Sequence, residues 1–252
     1  MKFPENRWHA FALHLIFTCL LCIPVIIAAY LWYPGILFVT EGGFQGVIFI
    51  AAIILPLGPG LTLLTYVPGK KGLKFDIAFI ISLQLLATGY GMQVMHDNRP
   101  GVIAYYSGSY FVVPMLRFHS RGVDITHNVF FQKGAPVFVN VRLPYGNVDR
   151  LNVKIAHIFS GLETAIDLYE PYENATALLS KEGLSIEEAK TAGIVVPENL
   201  AHEKIRIFNL VTRYNNYAIA VNPETGEPVK VLAVIKHLKI PQGSNLKAVG
   251  DK

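Results

Sequence analysis

Three stretches of this chain are each long and apolar enough to cross a lipid bilayer, which needs roughly 20 residues. They are WHAFALHLIFTCLLCIPVIIAAYLWY (Trp8 to Tyr33), FQGVIFIAAIILPLGPGLTLLTYV (Phe44 to Val67) and FDIAFIISLQLLATGYGMQVM (Phe75 to Met95). In hydrocarbon every backbone N–H and C=O must find a partner within the protein. The runs therefore predict membrane helices over 8–33, 44–67 and 75–95. Only 16% of the 252 residues are charged, against about 25% in soluble domains. The apolar excess lies almost entirely before residue 96. The first run is too long for a signal-peptide core and ends in Trp32-Tyr33-Pro34 rather than a small-x-small cleavage site, so it reads as an uncleaved anchor.

Orientation follows from the short flanks. Lys2 and Arg7 precede the first span, and Lys70, Lys71 and Lys74 fill the loop between the second and third. The intervening loop PGILFVTEGG carries only Glu41. Lysine and arginine stay on the cytoplasmic side. The N-terminus and the lysine loop are thus expected in the cytoplasm, and everything after about His96 on the far side of the membrane, which in a bacterium is the periplasm. Trp32, Tyr33 and Tyr90 would mark the outer interface, Trp8 and Tyr66 the inner one. The net charge of +4 is spread along the chain, without the clustered stripe of a nucleic-acid binder. Cys19 and Cys22 form a C-x-x-C, but hydrocarbon serves thiolate chemistry poorly, so they read as small packing residues.

The second span holds the worst helix formers of the membrane part. Pro56 and Pro59 cannot donate to the carbonyls of Ala52 and Leu55. Gly58 and Gly60 allow another backbone to approach, as small residues do between membrane helices. At about 1.5 Å rise per residue, Gln84 falls level with Pro56 to Gly58. Its amide is expected either to donate to a freed carbonyl or simply to face Thr88 and neighbouring helices. The helix that uses the glycines could be the chain's own third span or a partner's. Asp76, at the start of the third span, complements the helix dipole and can cap free N–H groups. His14, about a turn into the first span, reads as interfacial.

From residue 98 the pattern shifts to short alternating runs. Gly101–Tyr106 and Ser109–Leu116 read as strands around Ser107-Gly108, and Ala135–Pro144 as a strand with Val137, Val139 and Val141 on one face. Leu162 to Ala192 reads as helical, with one helix over Tyr172–Lys181. A second is opened by the Ser185–Glu188 capping box and closed by Gly193. Lys204–Tyr214 and Tyr217–Lys236 complete the pattern, the latter as two strands around Pro223-Glu-Thr-Gly226. The expected architecture is a membrane protein with three N-terminal transmembrane α-helices (1–97), a small periplasmic α+β domain (98–240) and a tail (241–252).

No reactive constellation stands out. His96, His119, His127, His157, His202 and His237 are scattered, without metal-ligand spacing. Asp149, Glu163, Asp167, Glu170 and Glu173 read as a solvated acidic surface. No cofactor, catalytic or metal residues are expected, and no enzymatic activity.

WYPG (Trp32–Gly35), LGPGLTLLTYVPGKKGLKFDIAFIISLQLLATGYG (Leu57–Gly91) and NRPGVI (Asn98–Ile103) together resemble the type IV pilin accessory proteins of the TfpX/TfpZ family. The likeness covers roughly residues 8–103; beyond residue 110 it extends only to length and α+β character. It implies a bacterial inner-membrane, multi-pass protein, with its N-terminus cytoplasmic and its C-terminal domain periplasmic. It implies an accessory factor or chaperone that promotes stability, assembly or surface display of a major pilin. The partner would be the pilin's transmembrane helix and its globular head. Pro56, Gly58, Pro59, Gly60 and Gln84 would then form a helix-packing site, with Lys70, Lys71, Lys74 and Asp76 setting topology. The other reading is a membrane-anchored periplasmic sensory or regulatory domain.

Overall fold

The computed structural model describes residues 4–106, 108–125, 128–142, 164–200, 203–214 and 216–233. Expectations resting on Lys2, Ser107, His127, His157, His202, His237, Asp149 and Glu163 lie outside them. So do the ends of the segments expected to start at Leu162 or run to Pro144 and Lys236, and the tail 241–252. The chain divides into two compact units, Met1–Arg99 and Pro100–Lys252.

In the first unit, α1 (Arg7–Trp32) starts where the Asn6 side chain accepts the Trp8 N–H at 2.9 Å, and it runs on through Pro24. After the single turn α2 (Leu37–Thr40) comes a column of α3 (Gly43–Leu55), a π turn (Pro56–Gly60) and α4 (Leu61–Thr65). A tight turn with Gly69 and Gly72 at positive φ leads into α5 (Leu73–Asp97). Arg7–Trp32, Gly43–Thr65 and Leu73–Asp97 are long and apolar enough to cross a membrane.

The prolines do not break the second span. They are absorbed in one π turn, in which the Leu61 N–H reaches back to the Pro56 carbonyl. Glycines set the approach of α3 to α5. A Cβ on Gly46 would lie 2.7 Å from Met95 Sδ, and one on Gly91 2.6 Å from Ile50 Cγ1. Val25, Ala29, Tyr33, Ile50, Ile54 and Met95 close the interior, while Phe49, Leu64, Phe75 and Leu86 point outward. Such an apolar exterior suits lipid rather than water as solvent. Of the expected interfacial aromatics, Trp8 and Tyr90 are exposed, but Tyr33 and Tyr66 turn inward. Their hydroxyls donate to the Met95 and Pro4 carbonyls at 2.8 and 2.7 Å and so fasten the two ends of the bundle.

The second unit is built on a seven-stranded sheet of order β4-β3-β1-β2-β5-β6-β7. β1 (Pro100–Tyr106) and β2 (Ser109–Pro114) form the expected hairpin, with Gly108 at φ +73°. β3 (Val137–Val141) pairs parallel to β1, and β5 (Arg206–Val211) parallel to β2. β6 (Asn216–Val221) and β7 (Pro228–Leu232) extend the sheet antiparallel, with Gly226 turning at φ +77°.

Two expectations fail. Met115 and Leu116 leave the strand and open α6 (Met115–Ser120) after the extended Pro114. Within the segment expected to be helical, Tyr169–Pro171 is an edge strand, β4, beside β3. Pro171 is tolerated there because the outer edge needs no ladder N–H. The helix after it is a 3₁₀ turn (Tyr172–Ala175) continuing into α7 (Thr176–Leu179). α8 (Ile186–Thr191) carries both bonds of the Ser185–Glu188 capping box and is followed by Gly193 at φ +77°.

β1 is buried along its whole length, so the sheet is covered on both faces. One face packs Val102, Ala104, Val113, Val139 and Val141 under Phe118. On the other, the Tyr105 and Tyr110 rings lie edge-on to Phe208 at 5.6 and 5.5 Å. The Tyr110 and Tyr172 hydroxyls pair, and Tyr105 donates to Glu182 Oε2 at 2.7 Å. Burial raises both paired phenols, Tyr172 to about 12. A phenol raised in the folded state adds stability below its unfolded pKa of about 10 that is lost as pH climbs through the folded value. Between pH 10 and 12 the unfolding midpoint of the native protein should therefore fall more steeply than that of Tyr172→Phe; equal slopes in circular-dichroism melts would refute this.

Candidate functional site

A polar cluster lies inside the helix bundle, where the surroundings supply no water. α1 places His14 and Thr18 one turn apart on the face that also carries Val25 and Ala29. α4 contributes Thr62, and α5 contributes Gln84 and Thr88. All five are buried, Gln84 and Thr18 completely. The Gln84 amide nitrogen donates to Thr18 Oγ1 at 2.8 Å and to the Ile54 carbonyl at 3.3 Å. Its oxygen lies 2.9 Å from His14 Nε2, and His14 Nδ1 lies 2.6 Å from Thr62 Oγ1. Thr18 and Thr88 return their hydroxyl protons to the carbonyls of His14 and Gln84.

These partners fix the orientation of the Gln84 amide and one ring proton of His14. A backbone carbonyl only accepts, so the amide nitrogen of Gln84 must face Ile54 and its oxygen must face His14. His14 Nε2 therefore carries a proton. With a single ring proton, Nδ1 accepts, and the Thr62 hydroxyl donates to it. The connected groups are mutually satisfied and tie α1, α3, α4 and α5 together at one level. Interhelical hydrogen bonds in membranes are worth about 0.6 kcal/mol on average, so the network's main effect is to fix which helix faces which. Its side chains include no carboxylate, lysine or arginine.

Gln84 reaches the second span as expected, though not at the expected carbonyl. In the π turn the donor register shifts from four residues to five, so Pro59, which has no N–H, stands opposite the buried Ile54 rather than Leu55, and the Gln84 amide supplies a donor there. Gly58 has a specific steric role, because a Cβ there would lie 2.6 Å from both Gln84 Nε2 and Oε1. Pro59 is buried beside it. The helix that uses Gly58 is thus the chain's own α5. Gly60 is different. A Cβ there would meet nothing closer than the Leu55 carbonyl at 3.6 Å, and Pro56 is exposed.

The topology residues gather in the turn before α5. Asp76 makes no side-chain cap, since the N-cap is Gly72 in the left-handed region. Its carboxylate instead sits in the first helical turn and pairs with Lys70 Nζ at 2.6 Å. Lys71 and Lys74 are exposed. His14 is the member missed by its interfacial reading. Its recoverable signal is the four-residue spacing to Thr18, two polar groups on one face of an otherwise apolar helix. At the opposite end of the bundle Trp32 lies edge-on to His96 at 5.0 Å, and Arg99 Nη1 donates to the His96 carbonyl at 2.6 Å. Among the described residues no three His, Cys, Asp or Glu side chains converge as a metal-ligand set.

No protein-family model, curated protein or solved structure matches the chain.

Gly58→Ala should lower the melting temperature of the purified protein, since overpacking a tight contact costs about 1–3 kcal/mol. Gly60→Ala should leave it unchanged or raise it, because alanine is the better helix former by about 1 kcal/mol. Equal effects of the two would contradict the assignment of Gly58 to the Gln84 contact. Gln84→Leu should reduce accumulation in membranes, as it strands His14 Nε2 and Thr18; undiminished levels and melting temperature would dismiss the network as a stabilising element.

Proposed function

We propose that this chain is a non-enzymatic accessory factor of the inner membrane that stabilises a type IV major pilin before and during its assembly. The observation that carries the reading is the segment Leu57–Gly91. It bears the densest family resemblance, and it also contains Gly58, Lys70, Asp76 and Gln84, whose contacts shape the bundle. The residues of the resemblance thus have physical work within a three-helix unit, as expected of a common membrane scaffold.

An unassembled pilin holds a long apolar helix in the membrane and a globular head outside it. A factor with three spans and an extramembrane sheet domain offers contacts to both parts. Because Gly58 is taken up by α5, the client helix would pack on the outward side of the second span, near Pro56, Gly60 and Leu64. In this proposal the N-terminus and the Lys70 turn lie in the cytoplasm and the sheet domain in the periplasm.

Deletion of the gene should lower the steady-state amount of the pilin and the number of surface pili, with pilin transcript unchanged. Photocrosslinkers at Gly60 and Leu64 should capture the pilin. Unchanged pilin and pili would reject the proposal, whereas altered pilin transcript with normal pilin turnover would favour a regulatory protein.

A further inference from the structure

The two ends of the helix bundle differ in charge. Tyr66 donates to the Pro4 carbonyl, and Ala10, Tyr66 and Leu73 pack together, which draws the start of α1 to the turn before α5. Arg7 is thereby brought to the same end as Lys70, Lys71 and Lys74. Two acids share that end, Glu5 and Asp76, and Asp76 is held by Lys70. Arg7, Lys71 and Lys74 are exposed and make no ion pair among the described residues. Trp8 and Phe75 flank them, 58% and 74% exposed. The turn itself is pinned: Gly69 and Gly72 take positive φ, and Lys70 folds back onto Asp76. Lys71 and Lys74 take no part in that pair and are exposed.

We propose that this end of the bundle is a docking surface for anionic phospholipid headgroups. Lys71, Lys74 and Arg7 would meet the phosphates, while Trp8 and Phe75 would lie among the upper acyl carbons. The argument rests on charge complementarity. Cations with no ion-pair partner among the described residues, set at the end of three apolar helices and beside aromatic rings, match a negatively charged headgroup layer. The surface depends on membrane insertion and is independent of which client, if any, the protein serves.

The test is native mass spectrometry of the full chain in detergent, with phosphatidylglycerol and phosphatidylethanolamine added in equal amounts. Phosphatidylglycerol adducts should predominate. Lys71→Gln/Lys74→Gln should reduce that preference by about fivefold per lysine, whereas Lys71→Arg/Lys74→Arg should retain it. Equal adducts of the two lipids, an undiminished preference in the glutamine variant, or loss of preference in the arginine variant would each overturn the proposal.

Discussion

The Gln84 amide must satisfy three partners at once in a place without water, and the packing of the first unit depends on how it does so. Its nitrogen binds Thr18 and the Ile54 carbonyl, and its oxygen meets His14. Room for it exists only because residue 58 is glycine. The π turn is the backbone's side of the same arrangement. It takes in both prolines without ending the span and delivers Gly58 and Thr62 to the faces where Gln84 and His14 wait. The cluster contains no carboxylate, lysine or arginine, whose unpaired burial would cost much, while stranding any one partner would still be costly.

The second unit solves a different problem. β1, buried on both faces, divides a mixed valine and aromatic core under α6 from a tyrosine-rich layer closed by Tyr172 and Glu182. Both sheet edges are short: β4 has three residues and β7 has five, including Pro228 and Lys230. Short edges bearing proline and lysine resist indiscriminate strand addition.

Local patterns were legible where one residue type has one physical use. The Ser185–Glu188 capping box, the Gly193 helix end and the Gly226 turn all follow from side-chain or backbone constraints within a few residues. The valine alternation of β3 was equally readable, because a strand exposes its two faces alternately. The segment before Pro171 was misread because helix-favouring composition there gives way to pairing with β3, a partner distant in sequence. His14 was misread for a related reason. Depth from the end of the helix suggested an interface, but burial depended on which neighbours stood opposite.

The sequence by itself determined that three helices suit a bilayer, that one end of the bundle is basic, and that a separate sheet domain follows. Apolar length, charge placement and strand alternation are additive along the chain and need no knowledge of contacts. It also placed Gln84 level with the Pro-Gly segment, since helical rise is constant. Only the tertiary structure decided that Gln84 chooses Ile54 over Ala52 or Leu55, that His14 and Thr62 complete the network, and that Gly58 serves the chain's own third helix. Those outcomes depend on helix rotation. Rotation is set by the joint fit of Gly46, Gly58 and Gly91 against Met95, Gln84 and Ile50, and no single segment carries that information.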